Sequence, residues 1–175
     1  MNKKLTLAVA ATAVAGLMAL VVAPLLSQSR AASQETLQGV WRITEVTRTG
    51  PNASKNSSPQ PSQYIFTAKH YSIVRINATK ARPDLPRDKE SSATAAQLVA
   101  VYGFDALTAQ SGTYEVAGGK LTTHAVVARG NGPMAKGAFS TSSYKLEGKT
   151  LTITSERNVA GPVANPTTWK LTRIE

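Results

Sequence analysis

The chain has 175 residues, with 20 Lys+Arg against 10 Asp+Glu, two histidines and no cysteine. That length gives room for one ordinary domain and excludes a large multidomain enzyme. The lack of cysteine excludes a disulfide scaffold, a Cys-ligated zinc or iron–sulfur site and a thiol nucleophile, whereas 42% apolar residues suffice for a packed core.

Met1-Asn2-Lys3-Lys4 is a short cationic start, and Leu5–Val22 then runs 18 residues without a charge. Ser29 and Ala31 supply the two small residues a signal peptidase requires. This predicts a signal peptide over 1–31 and a mature domain over 32–175. An uncleaved anchor is the competing reading, because 18 apolar residues lie at the lower edge of spanning length. The Ala-rich run is weakly hydrophobic and Pro24 follows it, which favours cleavage and leaves no stable membrane span. Either way the domain is expected outside the cytoplasm, periplasmic or secreted. Taking Lys3, Lys4 and Arg30 from the 20 basic residues leaves 17 against 10 acidic ones, a net charge of +7. These residues are spread singly with no alternating aromatics, so nucleic acid is not an expected partner. The charge is compatible with weak attraction to anionic envelope surfaces.

Past the leader, the pattern has period two far more often than 3.6. Leu37–Thr47 alternates and is rich in β-branched residues, which predicts the first strand. Residues 48–62 contain three prolines and much Ser and Asn, and read as a loop. Tyr64–Thr67 and Tyr71–Asn77 are strands about a turn at Ala68-Lys69-His70. Residues 78–92 are charged and Pro-punctuated. Ala93–Tyr102 spaces Ala95, Leu98, Val99 and Tyr102 on one helical face, with Ser92 as N-cap and Gly103 at the left-handed C-terminal position. A helix this short must pack its apolar stripe on something. Gly112–Ala117 and Lys120–Arg129 flank a Gly118-Gly119 hairpin turn. Ala138–Leu146 and Thr150–Ser155 flank Glu147-Gly148-Lys149, and Thr167–Ile174 is the last strand. Eight sequential antiparallel strands with one long crossing at 78–110 predict an all-β, eight-stranded up-and-down barrel. A two-sheet sandwich is the runner-up.

Gly39-Val40-Trp41 on the first strand, with Trp169 and Arg173 on the last, resembles the lipocalin (calycin) pattern, in which a basic residue of the closing strand lies across the Trp ring. The middle of the chain is similar to bacterial lipocalin-like domains at Tyr64-Ile65-Phe66-Thr67, His70-Tyr71-Ser72, Arg82-Pro83, Ser111-Gly112-Thr113-Tyr114-Glu115-Val116 and Leu121-Thr122-Thr123-His124. The resemblance spans about residues 36–174. It implies a barrel plugged at the Trp-bearing end, with a mouth at the other. The chain departs from secreted lipocalins in having no cysteine and in placing its helix mid-chain. On physical grounds Gly39, Trp41, Trp169 and Arg173 are read as structural, Arg173 sharing a face with Trp169 and Leu171.

The residue inventory offers little catalysis. His70 falls in a turn. His124 falls on a strand whose two faces are about equally apolar. Inward, it would orient a ligand carbonyl or carboxylate or act as a general base; outward, it is a surface residue. A metal needs three or four converging ligands, and Asp105, Glu115 and Glu156 are scattered, so no metal or other cofactor is expected. No nucleophile elbow and no phosphate-cradling glycine loop occurs.

The ligand-binding candidates are Tyr64 and Phe66 on one face, Tyr71 and Arg75 on another, and Tyr114, His124 and Phe139. An inward Tyr64 or Arg75 would give an apolar cavity its polar anchor. Alternatively, the aromatics fill the barrel. The 78–110 segment reads equally as a lid or a permanent cork. The expected function is an exported barrel binding a small, mostly hydrophobic molecule. The alternatives are an isomerase or hydrolase using His124 with a Tyr or Arg, or a filled barrel serving as a structural or interaction module.

Overall fold

The computed structural model describes residues 37–81, 83–103 and 107–175, so the leader lies outside the described residues. Eight strands close into an antiparallel barrel: β1 (Gly39–Arg48), β3 (Ser62–Phe66), β4 (His70–Ile76), β5 (Leu107–Ala117), β6 (Lys120–Ala128), β7 (Ser140–Glu147), β8 (Thr150–Asn158) and β10 (Thr167–Arg173). Short β2 (Ser54–Asn56) extends the sheet beside β1, and β9 (Gly161–Pro162) beside β8. Because β10 pairs with both β8 and β1, the main sheet has no free edge, and the barrel prevails over the sandwich. Ala117 pairs with Lys120 around Gly118-Gly119, whose φ angles of +55° and +73° fit the two-residue turn that matches strand twist.

The core gathers at one end. Trp41, Leu37, Leu151 and Leu171 are fully buried there. The Trp41 indole donates from Nε1 to the Leu37 carbonyl at 2.9 Å. Arg173, its cross-strand partner, lays its guanidinium 4.2 Å above the ring and donates to the Gln38 carbonyl. Burying an indole removes about 200 Å² from water, on the order of 5 kcal/mol before ordering costs. Gly39 makes the approach feasible. Its φ of +135° is open to glycine alone, and a Cβ there would run into the Glu175 carbonyl and the Arg173 guanidinium.

Several boundaries differ from the sequence expectation. β5 begins at Leu107, five residues before Gly112, because Leu107–Ser111 pair with Ser72–Ile76 despite their weak strand propensity. His70 opens β4 instead of sitting in the turn. The helix, α1 (Ala95–Tyr102), is capped by Thr94 and not by Ser92. Thr94 and Gln97 form a reciprocal capping box, while Ser92 ends a preceding 3₁₀ turn. Gly103 has φ −57°, so it supplies a helix-ending extended residue and not a left-handed one. The expectation that α1 packs its apolar stripe on something is met only weakly: none of its residues is buried, Leu98 and Val101 are half-buried, and Tyr102 donates to Glu90 at 2.6 Å. Among the described residues no helix is long and apolar enough to cross a membrane.

Substituting Gly39→Ala is expected to cost about 3 kcal/mol, since backbone strain and collision add. Gly118→Ala, in a left-handed turn with open space around it, should cost only about 1 kcal/mol. Urea unfolding midpoints of the two variants check the contrast.

Candidate functional site

The inward positions of the strands change character along the barrel. On β8, Leu151 and Ile153 give way to Ser155. On β4, Tyr71 and Ile73 give way to Arg75, and on β6, Leu121 gives way to Thr123. The closed end is therefore apolar and filled, and the other end is lined by hydroxyl, amide and guanidinium groups too short or too hydrophilic to fill it. What remains is a cavity of about 240 Å³. Its walls combine Tyr64, Phe66, Ile73, Leu121, Ile153 and Trp169 with Arg75, Thr108, Gln110, Thr123, Ser142, Ser155 and Arg157.

A second cavity of about 300 Å³ opens through the barrel side. Pairing between β6 and β7 covers only Lys120–Thr123 against Ser140–Ser143, although β6 runs on to Ala128. β7 begins at Ser140, opposite Thr123, so the rest of β6 has no β7 partner, and residues from 132–139 and 158–160 line the gap. Phe139, Ala138, Pro133 and Val159 line it, with Tyr71 and Ala125 at its floor. The two cavities meet at Gln110, Thr123, Ser140 and Asn158, which line both.

Arg75 reaches across the open end. Its Nη1 donates to the Tyr64 phenol oxygen at 2.7 Å and its Nε to Asn77 Oδ1 at 3.0 Å. Asn77 Nδ2 in turn donates to Thr108 Oγ1 at 3.0 Å. The guanidinium carbon sits 4.5 Å from the Trp169 ring centroid, a stack worth roughly 0.5–2 kcal/mol. Arg75 and Trp169 also line a cavity of about 50 Å³ on their far side, with Ala78 and Thr79, so the stack forms a partition. Burial pushes the Tyr64 phenol above its ordinary value, opposed by the Arg75 charge and hydrogen bond. Burial likewise raises the Tyr71 phenol, opposed by a hydrogen bond with Thr123, and the Tyr144 phenol.

Of the expected ligand-binding residues, Tyr64, Phe66 and Arg75 line the interior cavity, and Tyr71 and Phe139 the side cavity. Tyr114 and His124 do not join them. Tyr114 is buried at the closed end, edge-on to Phe66 at 5.3 Å between centroids, and donates to the Thr67 carbonyl at 2.7 Å. His124 points outward with Thr122 and is exposed, its Nδ1 3.3 Å from the Ala138 carbonyl oxygen. Gly39, Trp41 and Arg173 stand together at the closed end as expected. Trp169 does not, for it walls the cavities under Arg75. Sequence reasoning passed over Gln110, Thr123, Ser142, Asn158 and Arg157. The available signal was that Gln110, Thr123, Ser142 and Arg157 share period-two faces with core residues; Asn158 does not, because the register of β8 shifts opposite Thr141–Ser142. Among the described residues of the 78–110 segment, only Thr108 and Gln110, already on β5, line the interior or side cavity.

Among the described residues no group of three His, Asp or Glu is placed to hold a metal ion. No protein-family model, no curated protein and no solved structure matches the chain.

The raised Tyr64 phenol makes a pH prediction. A neutral phenol favoured by the fold contributes stability fully below the ordinary tyrosine value of about 10, and that contribution is lost as pH rises through the folded value. Tyr64→Phe removes this titration together with the bond from Arg75. The variant should lose about 1 kcal/mol at neutral pH yet fall less steeply than wild type above about pH 10. Urea midpoints at neutral and alkaline pH read both effects, and an equal alkaline loss would contradict the assignment.

Proposed function

We propose that the chain is an exported lipocalin-like barrel that binds a small, mostly hydrophobic molecule. The observation that carries this reading is the unfilled upper half of the barrel. A cavity of about 240 Å³ joins a side cavity of about 300 Å³, and drug-sized ligands occupy sites of roughly 300–1,000 Å³. The apolar lower wall suits a hydrocarbon or ring body, and a few converging polar groups above it suit orientation. The opening beside β6, beyond its last pair with β7, is an entry route that leaves the closed end intact.

Three further observations support the reading. Trp41 under Arg173, behind Gly39, reproduces the arrangement that the lipocalin resemblance implies. The leader pattern over 1–31 supports export to the periplasm or beyond, with a mature start near Ala32. The exposed, outward His124 lines neither cavity, which favours binding over an isomerase or hydrolase that draws its base from this residue.

Native mass spectrometry of protein purified gently from its own envelope fraction should reveal an added mass that disappears on denaturation. In vitro, the neutral dye phenylnaphthylamine should brighten on binding and alter Trp169 emission. The Trp169→Phe protein, left with Trp41 alone, should bind without that emission change. Ser140→Phe, at the junction of the cavities, should weaken binding at least about tenfold, or 1.4 kcal/mol. Saturable binding unaffected by Ser140→Phe would place the dye elsewhere and sink this reading.

A further inference from the structure

The interior cavity is electrostatically one-sided. Among the described residues two arginines, Arg75 and Arg157, line it, and no aspartate or glutamate does. The acids on the barrel strands are engaged or turned outward. Glu45 pairs with Lys55 at 2.9 Å, Glu147 with Lys145 at 2.8 Å, and Glu156 with Lys120 at 2.6 Å, while Glu115 is exposed. Among the described residues the side cavity likewise has no acidic residue in its lining.

The donors of Arg75 are only partly used. A guanidinium carries five N–H groups in one plane. Among the described residues Tyr64 takes one from Nη1 and Asn77 takes the one on Nε, and both acceptors are uncharged. The other edge of the fork has no acceptor among the described residues. The side chain of Arg157, at the exposed rim of the same cavity, has no ion pair or hydrogen bond among the described residues. An uncharged ligand filling this space would strip water from Arg75 and return nothing, whereas an anion would restore the charge balance with charge-assisted hydrogen bonds.

We propose that the ligand of this barrel is an amphiphilic acid, whose apolar body lies against Phe66, Ile73, Leu121 and Ile153 and whose anionic group is held by Arg75 with Arg157 at the rim. This rests on the binding reading above and names the ligand's chemical class. The apolar body and the charge are both required: the aliphatic lower wall offers nothing to a bare anion, and the arginines offer nothing to a hydrocarbon.

Two dyes with the same ring body separate charge from shape: anilinonaphthalene sulfonate and its uncharged parent phenylnaphthylamine. The intact protein should bind the sulfonate about tenfold or more tighter, and this preference should shrink as salt is raised. Arg157→Gln, at an exposed position where folding is undisturbed, should cut the preference to a few-fold. Arg75→Gln should abolish it, provided circular dichroism shows the barrel intact. Decanoate should displace the sulfonate dye, and inorganic phosphate at equal concentration should not. Equal affinity for the two dyes, or a preference unchanged in the Arg157→Gln protein, overturns the acid assignment while leaving the pocket standing. Displacement by phosphate as effective as by decanoate points to a bare-anion site and also overturns it. Failure of both dyes to bind removes the pocket itself.

Discussion

The pairing of β1 with β10 closes the sheet, and at the end of that pairing Trp41 lies beneath Arg173 with the guanidinium 4.2 Å above the indole. The last strand must reach the first with its register set. The Trp41–Arg173 contact joins their side chains at the same place where Ile174 donates its backbone N–H to Val40. With Gly39 admitting the chain end against the ring, the barrel floor is one compact unit of indole, guanidinium and backbone. Every strand starts from or returns to this plugged end, so its apolar residues accumulate there. The opposite end is left to be defined by what cannot pack.

The axial gradient of side chains follows from this arrangement. Inward residues on β4, β6 and β8 are aromatic or aliphatic near the floor and hydroxyl-bearing or cationic beyond it. An eight-stranded barrel is just wide enough for large side chains to fill. Where they are replaced by Ser142, Ser155 and Thr123, space is left open in proportion to the missing volume. The short β6–β7 ladder is the lateral counterpart, in which four paired residues on each strand hold the seam near the floor and β6 runs on past the start of β7.

Much of this was legible in the sequence, for identifiable reasons. Period-two alternation and turn chemistry located all eight barrel strands, since each buries one face and exposes the other. Alternation fails where that contrast disappears. Leu107–Ser111 carry one aliphatic and otherwise small or polar residues, because they line a cavity and not a core. Glu156 and Arg157 end the apolar pattern of β8 at Ser155, although pairing continues to Asn158. His124 was undecidable because Thr122, Val126 and their neighbours on the other face are equally apolar. The position of α1 was predictable to within two residues, but its packing was not. A stripe of apolar residues says that burial would be favourable, not that a surface lies within reach. The Arg75–Trp169 stack joins strands that are not neighbours in the sheet, and no local pattern encodes such a contact.

That stack also explains why an arginine stands where a barrel of this size would more simply hold an aliphatic residue. Even a half-buried cation such as Arg75 is costly unless its donors are met. Arg75 meets the cost in separate directions: Tyr64 and Asn77 accept in the guanidinium plane, and Trp169 covers one face. A lysine at this position would present a single strongly hydrated point charge with no face to stack and no fixed fork to divide between two acceptors. The planar group is thereby anchored on two sides without any carboxylate. A neutralising acid from the protein would have filled the same edge and cancelled its charge. Anchoring by a phenol, an amide and an indole instead keeps Arg75 rigid and cationic, with the unused side of the fork available to the cavity.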